Sequence, residues 1–352
     1  MNVKPLFKLM VEKKASDLFF APFSPAKIKI EGKIMPVNKL EMTPKMVKQA
    51  ALELMTEEQM EQFNRELEID FALSEKGLGR FRVNVFHQRG TVAMVLRYIT
   101  SELPTLEELG MPDQVRELVM LRRGLILMVG ATGAGKSTTL AAMINHRNEK
   151  TSSHIITIED PIEFLHPNKQ SIINQREVGL DTKSYNRALK SAVRAAPDVI
   201  QIGEIRDTES MRAALDMAGT GHLVLATVHS NNAPETLDRI INFFPQEQHG
   251  QVFMDLAHYL RAILSQRLVR ARNGKRVAAV ELMLNTPHIK DLILKGDISA
   301  VKEAHKDSGE QGMVTFDDAL LDLYKNGTIT MDEAMSHADS RANLEAKVNF
   351  GG

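Results

Sequence analysis

The sequence predicts an α/β protein of two parts, a small α+β unit followed by a larger unit built on a parallel sheet. Three observations carry this. At 352 residues the chain exceeds an ordinary single domain. Its first hundred or so residues hold short strand-like pieces around one helical stretch. Beyond them, apolar strands alternate with amphipathic helices, as the crossovers of a parallel sheet require.

In the first part, Asp17–Phe20, Lys27–Ile30 and Lys33–Val37 read as strands, the last two joined by a Glu31-Gly32 turn. Thr43-Pro44 is a helix start, an N-cap with proline at the first helical position, and the helix is expected to run to about Leu67. Strands Arg80–Phe86 and Thr91–Ile99 follow, joined at Gln88-Arg89-Gly90. In the first of them Phe81, Val83 and Val85 point one way, Arg80 and Arg82 the other. Residues 101–112, with two prolines and little apolar periodicity, read as a linker between a domain at 1–100 and another at 113–352. The larger domain's strands are Leu125–Val129, His154–Ile158, Val199–Ile202 and His222–Thr227. From about Gln248 the expectation is mainly helical, apart from a strand at Val277–Leu284.

Composition narrows the functional classes. Hydrophobic content of 43% and charged content of 25% are those of a globular protein with a sizeable core. A formal net charge of −1 gives no global attraction to nucleic acid or anionic membrane. The absence of cysteine excludes disulfides, a thiol nucleophile and cysteine-ligated zinc. Met1 to Lys14 lacks the apolar segment of a signal peptide, and no apolar run is long enough to span a bilayer. A cytoplasmic protein is expected, held at a membrane only through a partner.

One motif is complete. Gly130-Ala131-Thr132-Gly133-Ala134-Gly135-Lys136-Ser137, with Thr138 after it, fits the phosphate-binding loop pattern G-x-x-x-x-G-K-[ST]. The glycines let backbone N–H groups converge on phosphate oxygens, and the helix N-terminus behind them adds positive potential. Lys136 is expected to reach the β- and γ-phosphates of ATP, and the Ser137 hydroxyl to coordinate Mg²⁺. A random chain of this length matches about once in a hundred; the strand before the motif and the helical pattern after it make chance a poorer account still.

A P-loop ATPase also needs carboxylates near the phosphates. Two clusters follow strands: Glu159-Asp160-Pro161-Ile162-Glu163 and Gly203-Glu204-Ile205-Arg206-Asp207. Ligands collect at the carboxyl ends of parallel strands, so both clusters are expected to face the loop. Most acidic residues in such places cap helices or sit in solvent. Strand-end placement favours Glu204 and Glu163 as site groups, while Glu159, Asp160 and Asp207 stay open between the two readings.

Here the sequence resembles the secretion ATPase superfamily. Ile156–Glu163 is similar to its aspartate box, Ala196–Asp207 to its Walker B segment, and Gly219–Asn232 to its histidine box. With the phosphate loop these make four boxes in the family's order. Gly79–Asn84 extends the resemblance into the first domain. The resemblance implies a PAS-like N-terminal domain, a RecA-like ATPase domain with a helical C-terminal portion, and a homo-hexameric ring. It implies Glu163 as the general base, Glu204 as the Walker B acid near Mg²⁺, and His229 at the γ-phosphate. His222 reads more simply as a strand histidine. The resemblance also suggests that Arg82 and Arg97, and less so Arg80, reach nucleotide across a domain or subunit boundary, where a solvated face is the ordinary alternative.

The short N-terminal domain and the missing four-cysteine site point to the type IV pilus retraction branch, PilT- and PilU-like. Thr286-Pro287-His288-Ile289-Lys290-Asp291-Leu292-Ile293 departs from the Ala-Ile-Arg-Asn-Leu signature of PilT-like members, and Ile240–Pro245 and Phe253–Leu256 look PilU-like. The branch implies an accessory motor working beside a PilT-type paralogue on an inner-membrane platform protein, with no nucleic acid partner. The alternatives are a primary PilT-type motor, a nucleic-acid-translocating ring and a non-catalytic nucleotide-binding adaptor.

Overall fold

The first unit is an antiparallel sheet with helices packed on it. The computed structural model describes residues 3–306 and 312–350. Along the chain come α1 (Lys4–Glu12), β1 (Asp17–Phe20), β2 (Pro25–Ile30), β3 (Lys33–Glu41), α2 (Pro44–Leu52), α3 (Glu57–Glu66), β4 (Glu68–Glu75), β5 (Gly79–Gln88) and β6 (Thr91–Ile99). The six strands lie in the order β3-β2-β1-β6-β5-β4. Phe81, Val83 and Val85 are fully buried, as the alternation along β5 requires, and Phe7 of α1 stacks on Phe81 at 4.6 Å.

Three elements differ from the sequence reading. The single helix expected to Leu67 is two. Thr43 caps α2, and Thr56 with Gln59 forms a capping box that starts α3 afresh. Strand β4, not anticipated, turns Ile69 and Phe71 into the core. Helix α1 was not anticipated either; it buries Phe7 and Met10.

The second unit carries α4 (Gln114–Val119), β7 (Gly124–Val129), α5 (Lys136–Lys150), β8 (His154–Glu159), β9 (Ile172–Glu177), α6 (Tyr185–Ala192), β10 (Val199–Ile202), α7 (Thr208–Gly219), β11 (Leu223–Val228), α8 (Ala233–Asn242), α9 (His249–Tyr259), β12 (Leu260–Arg270) and β13 (Arg276–Leu284). After them come α10 (Pro287–Leu294), α11 (Ile298–Lys306), α12 (Phe316–Lys325), α13 (Met331–His337) and α14 (Arg341–Phe350). Its seven strands run β13-β12-β7-β11-β10-β8-β9. All pairs are parallel except β12 with β13.

β7, β10 and β11 are buried at every residue, because helices cover both faces of the sheet. One face packs on α6 to α10 around Met211, Leu215, Leu237 and Leu256, the other on α4 and α5 around Val115, Leu140 and Ile144. Ile329, Leu320 and Leu344 of the last helical segment form a satellite core with Phe316 against Val269 and Ala279.

The stretch after Gln248 is mainly helical, with the expected strand present as β13, but it also holds β12, an eleven-residue strand that the sequence reading did not give. Strand β9 was also missed, being a polar edge strand with little to mark it.

Chain contacts divide the molecule into two compact units. Residues to Glu102 belong to the first together with Glu163–Leu165, and the remainder from Leu103 forms the second. Within the first unit Thr100 bridges to Phe164, and the Leu165 N–H donates to the Thr100 carbonyl at 3.0 Å.

Candidate functional site

The phosphate loop leaves the carboxyl end of β7 and enters α5, as the motif requires. Gly130 takes φ +146°, and a Cβ there would lie 2.5 Å from the Gln266 carbonyl oxygen. Gly135 takes φ +89°, and a Cβ there would lie 2.7 Å from Gln266 Nε2. Only glycine meets both demands, the left-handed backbone and the missing side chain. The Lys136 ammonium donates to the carbonyls of Gly130 and Ala131 at 2.8 and 3.0 Å. The Ser137 hydroxyl, partly exposed on the first turn of α5, has no hydrogen-bond partner among the described residues.

Strand register sets what stands beside the loop. Val129 is paired with Val228 on one side and with Ser265 on the other. The next residues along these three parallel strands are Gly130, His229 and Gln266, so the loop opens between a histidine and a glutamine. His229 Nε2 lies 3.2 Å from Glu204 Oε1, and the Arg206 guanidinium donates to Glu204 Oε2 at 2.6 Å. Glu204 reaches this position because β10 ends close against β8. The Gly203 N–H donates to the Ile158 carbonyl at 2.7 Å, and a Cβ on Gly203 would lie 2.9 Å from the Tyr185 hydroxyl.

Electrostatics follow from these contacts. Burial pushes the Glu204 carboxyl up, but the Arg206 hydrogen bond and the charge of His229 outweigh it and hold the group below the ordinary glutamate value. Its side chain stays 17% exposed, open to a further ligand. Burial, aided by the charge of Asp160, pushes the Tyr185 phenol well up, so it stays a neutral hydroxyl under Gly203.

The other candidate residues separate. Asp207 accepts from the Ser210 N–H at 2.8 Å, the geometry of a helix cap for α7. Glu159 is buried and accepts from the Thr157 hydroxyl at 2.6 Å and from Gln175 at 3.2 Å. Asp160 is exposed. Glu163 is exposed and, among the described residues, has no hydrogen-bond or ion-pair partner. His222 bonds the Met217 carbonyl at the amino end of β11, the opposite end of the sheet from the loop. In the first unit Arg82 and Arg97 sit directly opposite each other on β5 and β6. Arg97 donates to the buried Asp17 at 2.8 Å, and Arg82 lies 3.8 Å from Asp70. Arg80 lies on the same face of β5 as Arg82.

A cleft of about 310 Å³ runs along the loop from Gly130 to Ala134 and is closed by Asn231, Gln266, Arg267, Leu268, Arg276 and His337. Of these, the residues of β12 and β13 and His337 were not anticipated from the sequence. Nothing local marks them, since only the sheet brings β12 beside the loop. Arg267 is itself fixed from beyond the sheet. It donates to the His337 carbonyl and Asp339, each at 2.6 Å, and stacks 3.8 Å over Phe316.

Comparison with known proteins gives the family. Residues 2–334 match the model of the type II/IV secretion system protein family. The chain belongs to that family. This secretion ATPase is 50% identical to the type IV pilus ATPase PilU of Pseudomonas aeruginosa, over all of this chain and 92% of the relative. It is 40% identical to the type IV pilus retraction ATPase PilT of the same organism, over 96% of this chain and 98% of that one. Among solved structures it superposes on the pilus retraction motor PilT with bound ADP at a TM-score of 0.92. That match has 41% identity and covers 98% of this chain and 99% of the other. The secretion ATPase therefore has the two-domain secretion-ATPase architecture, an N-terminal domain followed by a RecA-like one.

Proposed function

We propose that this secretion ATPase is an ATP-hydrolysing motor of type IV pilus retraction, working as a PilU-type accessory beside a PilT-type partner. The observation that carries the reading is the site at the end of the parallel sheet: an intact phosphate loop beside His229, with Glu204 held between His229 and Arg206. Identity of 50% to PilU over the whole chain supports the accessory role over that of a primary motor. Intact Lys136, Glu163 and Glu204 speak against a non-catalytic adaptor, and a net charge of −1 speaks against a nucleic-acid motor.

In this reading the backbone of Gly130–Thr138 cradles the phosphates, and phosphate oxygens give Lys136 charge-assisted acceptors stronger than the two carbonyls it now meets. The donor set fits Mg²⁺, a hard cation that prefers oxygen: the Ser137 hydroxyl and the partly exposed Glu204 carboxylate are both available to it. Mg²⁺ bound there would neutralise charge on the β- and γ-phosphates. His229 stands where it meets the γ-phosphate end of the loop, and Glu163 orients and deprotonates the attacking water. Arg82 and Arg97 act from a neighbouring protomer of a homo-hexamer, placing positive charge against the developing charge of the transferred phosphoryl group.

In this reading the motor reaches the inner face of the cytoplasmic membrane through a platform protein; no helix among the described residues is long and apolar enough to cross a membrane. The test is Mg²⁺-dependent ATP turnover by the purified chain, together with pilus retraction in cells lacking the PilT-type partner, with and without this protein. ATP binding without turnover would leave the adaptor in its place. DNA-stimulated turnover would favour the nucleic-acid motor. Full retraction without the partner would make it a primary motor.

A further inference from the structure

Gln266 of β12 meets the phosphate loop at two points and the helix behind it at a third. Its carbonyl oxygen lies where a Cβ on Gly130 would be, at 2.5 Å, so the loop's first bend rests on the backbone of β12. Its Oε1 accepts from the Thr139 hydroxyl of α5 at 2.8 Å, which fixes the amide and turns Nε2 the other way. Nε2 then lies 2.7 Å from the position of a Cβ on Gly135, under the loop's last bend. Gln266 is 3% exposed and Thr139 fully buried, so neither side chain has water as an alternative partner.

We propose that Gln266 is a positioning residue of the nucleotide site: its side-chain amide, oriented by Thr139, braces the loop's last bend at Gly135, while its backbone carbonyl backs the first bend at Gly130, so that the loop's N–H groups converge on phosphate. The proposal rests on nucleotide occupying this loop, as read above. A buried glutamine could equally be a satisfied core contact with no bearing on nucleotide. The difference lies in what its loss does. A core contact lowers stability and leaves affinity alone; a brace lowers affinity for nucleotide and leaves the chemical step largely intact once nucleotide is bound.

The experiment uses the full chain as wild type, Gln266→Met, Thr139→Val and the double variant. It measures the Kd of a fluorescent ATP analogue, KM and kcat for ATP, and the melting temperature. Each single variant should raise Kd and KM about tenfold, the loss of roughly one buried hydrogen bond. kcat should move much less, and the double variant should be no worse than either single one, because both remove the same contact. Unchanged Kd and KM in both single variants, whatever the melting temperature, would overturn the proposal. If Gln266→Met does not fold, Gln266→Glu keeps the shape and the acceptor for Thr139 but puts a carboxylate under Gly135. It should bind the analogue far more weakly than wild type, and equal binding would overturn the proposal. Wild-type chain that fails to bind the analogue overturns the ATPase reading as well, whereas tight wild-type binding with unaffected variants overturns this one alone.

Discussion

If Lys136 and Glu204 carry the chemistry of this site as proposed, their substitutions should separate binding from turnover. Lys136→Ala removes the only side-chain charge on the loop itself and should weaken ATP binding and lower kcat/KM by about a hundredfold or more. Glu204→Gln keeps shape and should still bind ATP, with turnover lowered by a comparable factor of about a hundred. Binding of a fluorescent nucleotide alongside phosphate release tells the two apart. His166 offers a stability test away from the phosphates. Burial, with help from the charge of Lys169, pushes its imidazole down to about 4. The folded ring is therefore neutral at pH values where the unfolded chain takes up a proton, near its ordinary value of about 6.5. Stability should fall as pH drops from about 6.5 towards about 4, and this contribution should level off below. Melting temperatures across that range should show a shallower slope for His166→Gln than for wild type.

At the scale of elements, β12 binds the second unit together, and its neighbour β13 supplies a buried carboxylate. Glu281 Oε1 accepts from the Ala233 N–H at the start of α8 and from the Ser265 hydroxyl of β12, both at 2.7 Å. A carboxylate at a helix N-terminus is well placed, and α8 begins directly after the histidine-bearing loop. Glu281→Ala should leave two buried donors unsatisfied and destabilise the fold by about 2–4 kcal/mol, read by chemical denaturation. The elements also show where local pattern is a poor guide. Leu260–Arg270 has apolar residues spaced as on a helix face, yet it inserts beside β7, where both faces of the sheet are covered and no alternation is demanded. The Thr56 and Gln59 capping box that divides α2 from α3 was legible in the chain, but a continuous polar and apolar mixture across it concealed the break.

For the whole molecule, the two units set the experiment. Arg82 and Arg97 belong to the first unit and the phosphate loop to the second. If the arginines act across protomers, mixing Arg82→Ala chains with Glu204→Gln chains should recover part of the ATPase activity that each lacks alone. Absence of recovery in rings verified as mixed would assign the arginines a local role, pairing with Asp70 and Asp17 within their own sheet.

The turn of the phosphate loop was readable in full because its motif is written in contiguous residues, with glycines that bend the backbone between β7 and α5. The strand-end acids were readable only in part: Glu204 stands beside His229 near the loop, whereas Asp160 and Glu163 are exposed and Glu159 pairs with Thr157 and Gln175. Which acid does what was not readable, because Asp207 turning to cap α7 and Glu204 turning to His229 are choices made by partners distant in sequence. Gln266, Arg267 and His337 left no signal at all. They stand at the loop only because β12 pairs with β7 across more than a hundred residues of chain, and hydrogen-bond register, not local propensity, chooses which side chains stand beside Gly130.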